Sequence, residues 1–164
     1  MITQRLTGEE IFQAQFCWAS MEDASYLKSV LDYPTLLPYF LDLRNHRTIE
    51  IGSGDNPINN HYPCREYVSA EGFYPKDGLS VLKKEGDESA AVVAFGVIDD
   101  CILKSFSRKR EGLAHRYIEE LVEEIKRVMS PFAIIIGLDA QKYMGIADVS
   151  MDTLGGVYIR KHQG

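Results

Sequence analysis

Apolar residues recur along this chain in two rhythms. Residues 48–51, 67–70, 90–97 and 132–137 read as strands, the first two short and mixed, the last two largely apolar. The run at 90–97 has the β-branched character of a central strand buried on both faces. Residues 112–129 follow the other rhythm, with Ala114, Tyr117, Ile118, Leu121, Val122, Ile125, Val128 and Met129 in one stripe at helical spacing. Glu119, Glu120, Glu123, Glu124, Lys126 and Arg127 fill the opposite face of that predicted helix. Glu123 and Arg127 are spaced there as an i,i+4 pair, and Ser130-Pro131 ends the helix.

Shorter signals complete the order. Residues 8–45 read as helical, with Pro34 suited to begin a new helix. The segment 55–66 is too short and too broken by Pro57 and Pro63 for a full helix. A short helix is expected within 77–88, carrying Leu79, Val81 and Leu82. Strands are expected at 146–151 and 156–161, joined as an antiparallel pair by a turn containing Asp152 and Gly155. Buried strands alternating with helices predict an α/β domain with a mainly parallel sheet, covered on both faces and closed by an antiparallel terminal strand. One domain is expected, with 1–47 as a helical extension and 48–164 as the core.

Composition narrows the function classes. The net charge is −6, and a protein that grips a polyanion ordinarily carries a basic face, so nucleic acid is disfavoured as the main partner. No apolar run is long enough for a membrane helix, and the first residues lack the apolar centre of a signal peptide, which together predict a cytoplasmic protein with no membrane partner. Cys17, Cys64 and Cys101 are too few and too widely spaced for a disulfide framework or a zinc site. Each reads as a small buried or half-buried apolar residue.

The densest functional signal is Ile49-Glu50-Ile51-Gly52-Ser53-Gly54-Asp55-Asn56-Pro57. A buried strand runs into two glycines spaced one apart. Glycine has no Cβ, so the backbone there can take positive φ and come close to a ligand. Pro57 stands where a dinucleotide fingerprint needs its third glycine, which argues against an NAD-type oxidoreductase. Twenty or so residues on, Glu71 ends the second strand, at the distance where nucleotide-binding α/β folds place a carboxylate on ribose hydroxyls. The other reading of Glu71 is a solvated strand-end residue.

These residues resemble the class I S-adenosylmethionine-dependent methyltransferases. Glu50, Gly52 and Gly54 match the family's first motif, Glu71 its acid at the end of strand two, and residues 91–100 its fourth strand and following loop. The resemblance implies a three-layer Rossmann-like methyltransferase fold and S-adenosylmethionine as cofactor. It places Glu50, Gly52, Ser53, Gly54 and Asp55 in the glycine loop against that cofactor, with Glu71, Phe95 and Gly96 beside them. Fewer than twenty residues separate strand two from the strand at Ala90, so the family's third strand is expected to be missing, and with it the acid that recognises adenine.

Methyl transfer needs alignment and, where the acceptor carries a proton, a base. Asp99 and Asp100 are the candidate catalytic residues, although helix capping is the competing role for either. No metal is implied. Lys104, Arg108, Lys109, Arg110, His115 and Arg116 form the one dense basic segment. It suits an anionic small-molecule acceptor or a solvated loop. The rival to an enzyme is a non-catalytic relative that binds a nucleoside ligand or a protein partner through the same fold.

Overall fold

The computed structural model describes residues 5–13, 30–52, 57–72, 74–95, 111–136, 149–151 and 157–161. Six strands form one sheet: β1 (Arg47–Ile51), β2 (Glu66–Ala70), β3 (Ala90–Phe95), β4 (Met129–Ile136), β5 (Val149–Met151) and β6 (Val157–Lys161). Their order is β2-β1-β3-β4-β6-β5. The first four are parallel neighbours, while β6 lies antiparallel between β4 and β5. The described helices are α1 (Gly8–Gln13), α2 (Leu37–Asp42), α3 (Gly78–Lys83) and α4 (Glu111–Val128). This is an α/β fold compatible with a Rossmann-like architecture. Among the described residues between Glu71 and Ala90 there is no strand. Among the described residues no helix is long and apolar enough to cross a membrane.

Strand periodicity divides the core in two. Ile49, Ile51, Val92, Ala94, Ala133 and Ile135 face α3 and the apolar stripe of α4. Ala91, Val93, Phe95, Phe132, Ile134 and Ile136 face Val30, Leu36, Phe40, Leu43 and Ile58 on the other side. Because side chains alternate along a strand, β3 must supply both cores, and all six of its residues are buried.

Several expectations change at element ends. The proline inside the first turn of α2 is Pro38, and Pro34 lies in the turn before it. As expected of a segment broken by prolines, residues 57–66 hold no full helix, only the 3-10 turn Ile58–Asn60. The long helix ends at Val128, and Ser130-Pro131 belongs to β4. There the pairing jumps from Ala90↔Met129 to Val92↔Ala133. An irregularity of this kind is where a strand tolerates a residue with no N–H.

The polar face of α4 also departs from its pattern. Glu120 is fully buried, accepts the Leu6 N–H at 2.9 Å and lies 3.7 Å from both Arg5 and Lys83. Arg127 bonds Glu124 and Asp87 rather than Glu123, which instead pairs with Arg5. Helical spacing assigned all of these residues to solvent, but Arg5 and Leu6 lie against Glu120, which is buried, while Glu119, Glu123 and Lys126 stay exposed. That segment opens with a capping box in which Thr7 Oγ1 accepts the Glu10 N–H and Glu10 accepts the Thr7 N–H.

Candidate functional site

Register brings the candidate residues together. Ile51 pairs with Ala70 on one side and Ala94 on the other. The next residues of these three parallel strands are Gly52, Glu71 and Phe95, so they form one row at the carboxyl ends. The chain leaves β1 towards β2 on one side, while β3 lies on the other, so strand order reverses across β1. Open α/β sheets bind ligands at such a switch point. Gly52 has φ of 73°, a left-handed conformation that disfavours any side chain. Glu71 is exposed, and its N–H donates to the Lys76 carbonyl at 2.6 Å, closing the turn that follows β2.

Glu50 sits two residues below the row. It is 2% exposed, and one carboxylate oxygen accepts both the Ile58 N–H and the Tyr67 hydroxyl, each at 2.7 Å. The pair of bonds ties β1 to β2 and to the chain that returns after the glycine turn. Burial pushes the Glu50 carboxyl up to about 7, with the two hydrogen bonds opposing the shift. Through these bonds Glu50 braces the chain on either side of the glycine turn. The Phe95 ring is likewise turned inward, edge-on to Phe40 with centroids 6.1 Å apart, so at the row this residue presents its backbone.

Ser53, Gly54, Asp55, Gly96, Asp99 and Asp100 lie outside the described residues, as does the basic segment before Glu111. Arg116, the last cation of that sequence cluster, is committed elsewhere: it bonds Glu10 at 3.0 Å and the Arg5 carbonyl at 3.3 Å. Two histidines near the glycine turn and β1 differ in surroundings. His61 is exposed, and His46 lies 2.9 Å from Asp42 with its ring edge-on to Phe132. Burial raises the pKa of the half-buried Cys64 thiol, which keeps it protonated and a poor nucleophile. Among the described residues no group of three or more His, Cys, Asp or Glu is placed to hold a metal.

One buried cluster escaped the sequence reading. Asp77 caps α3 by accepting the Ser80 N–H at 3.2 Å. The Tyr117 hydroxyl donates to the same carboxylate oxygen at 2.7 Å and accepts the Leu79 N–H at 3.1 Å. Burial, with Asp77 alongside, drives the Tyr117 pKa well above its usual value, so the phenol keeps its proton. Two signals pointed here: an Asp three residues before a Ser at a helix start, and a tyrosine inside an apolar stripe, whose hydroxyl needs a partner once buried.

The arrangement supplies an exposed carboxylate able to accept from a vicinal diol, in one row with a glycine of positive φ. No protein-family model, no curated protein and no solved structure matches the chain.

Proposed function

We propose that this protein is an S-adenosylmethionine-dependent methyltransferase acting on a small-molecule acceptor. The observation that carries the reading is the row of Gly52, Glu71 and Phe95 at the strand-order reversal. The positive φ of Gly52 fits a cofactor passing close over the backbone, and exposed Glu71 fits a ribose diol. In this reading Gly52 and Glu71 hold the cofactor, Glu50 fixes the turn between them, and the bound cofactor supplies an activated methyl group. A parallel sheet with the antiparallel strand β6 beside β4 supports the reading. Asp99 or Asp100 would serve as base on the acceptor side.

A second reading is a non-catalytic relative that binds a nucleoside ligand or a protein partner. It is favoured by the lack of a strand among the described residues between Glu71 and Ala90, since the family's adenine-recognising acid goes with that strand. Calorimetric titration with S-adenosylhomocysteine tests the cofactor reading. Saturable one-to-one binding is expected, and folded protein that takes up no heat-releasing ligand, with no protection from thermal unfolding, would refute it.

A further inference from the structure

We infer that Tyr117 is a positioning residue for the candidate cleft: its buried hydroxyl locks the joint that sets both Glu71 and Gly52. The inference rests on the cofactor reading for the ligand it names, although the joint itself is a matter of geometry.

Tyr117 is 0% exposed on α4, and its hydroxyl reaches the first turn of α3. The first N–H groups of a helix have no partner within the helix. In α3 the Leu79 N–H goes to Tyr117 and the Ser80 N–H to Asp77, which Tyr117 also holds. One phenol therefore fixes both the cap and the first turn.

Two arms run from this joint to the row. In the first, Asp77 directly follows Lys76, whose carbonyl closes the turn on the Glu71 N–H at 2.6 Å. In the second, Gly78 is wedged against the last residue of β1: a Cβ added there would stand 2.9 Å from Ile51 Cγ2. Gly52 is the residue that follows Ile51. A shift at the start of α3 therefore moves the turn that carries Glu71 and presses on the strand end that carries Gly52. The bonds from Tyr117 run to Asp77 and Leu79 at the start of α3, and from there its effect on a ligand is transmitted to the row through the backbone.

Asp77 has a second oxygen that is buried without a hydrogen-bond partner. An asparagine carbonyl can accept from both Ser80 and Tyr117 as the bonded carboxylate oxygen does. This provides a conservative control.

The test compares the full chain with Tyr117→Phe, Asp77→Ala and Asp77→Asn. The readouts are S-adenosylhomocysteine affinity by calorimetry and amide exchange at Glu71, with Val92 of central β3 as the internal reference. All are taken at a temperature where circular dichroism shows each variant folded. Tyr117→Phe and Asp77→Ala are expected to weaken binding about tenfold or more and to speed exchange at Glu71 about tenfold relative to Val92. Asp77→Asn is expected to restore both. A folded Tyr117→Phe variant with parental affinity or parental Glu71 exchange overturns the inference. If Tyr117→Phe does not fold, the Asp77 pair decides by the same criteria. If the parent binds no S-adenosylhomocysteine, the cofactor reading fails, and Glu71 exchange alone then supports or overturns the positioning role.

Discussion

The two ends of the parallel strands are built on opposite plans. At the amino end, Arg47 opens β1 and bonds Glu66, its register partner on β2, at 2.7 Å, while also gripping Glu85 with two nitrogens at 3.1 and 2.7 Å. Arg127 closes the same end of β3 and β4 through Asp87, Glu124 and the Leu82 carbonyl. The charges there satisfy one another. At the carboxyl end the row holds a glycine of positive φ and an exposed carboxylate, and the charge beneath it, Glu50, has no cation among its described hydrogen-bond partners. One end spends its charges on holding the sheet closed. The other leaves one carboxylate exposed and keeps another buried at a cost.

That contrast can be broken from either side, and the largest effect is expected at Glu50. A carboxyl raised to about 7 from an unfolded value near 4.5 binds its proton more tightly in the native state. Its contribution is therefore full below about pH 4.5 and is lost as pH rises through about 7. The loss amounts to about 3 kcal/mol. Glu50→Gln keeps an acceptor for Ile58 and Tyr67 without the charge. Denaturant melts should show it more stable than the parent at pH 8 and nearly equal at pH 4, whereas a variant less stable than the parent at pH 8 contradicts the burial cost.

Gly52→Val comes next. At φ of 73° a β-branched residue is strained, so the backbone at this position must move. Binding of S-adenosylhomocysteine should fall about 100-fold, equivalent to about 2.7 kcal/mol. An unchanged titration curve on folded variant protein would move the pocket away from this turn.

Glu71→Ala should weaken the same ligand about tenfold, the loss of one charge-assisted bond to a ribose, with little change in melting temperature because the side chain is exposed. A parental dissociation constant would remove the ribose role.

The smallest effect sharpens the comparison from the closed end. Arg47→Ala should lower stability by about 1 kcal/mol, the scale of a partly exposed ion-pair network. Ligand affinity should stay at the parental value. If affinity falls as well, the two ends are mechanically coupled and the division drawn here is too sharp.

Much of the sheet was legible because strands report their burial locally. The all-apolar run of β3 marks the strand buried on both faces, and Ile49 and Ile51 alternate with Thr48 and Glu50 in β1. The turn after β1 was legible too, since Gly52 is where positive φ is needed. Other features were hidden by distance along the chain. Glu120 has the spacing of a solvated residue, yet it is buried because Leu6, 114 positions away, donates to it. Arg127 had a suitable partner at Glu123 and took Glu124 and Asp87 instead.

The sequence alone therefore determined the kinds and order of the elements, the two-faced sheet and the glycine turn, because hydrophobic period and backbone restriction act over a few neighbouring residues. Only the tertiary structure decided which charges are paired, that Glu50 is buried against Ile58 and Tyr67, and that Tyr117 holds the start of α3. Hydrogen bonds and desolvation depend on where distant segments come to lie, and no local pattern carries that information.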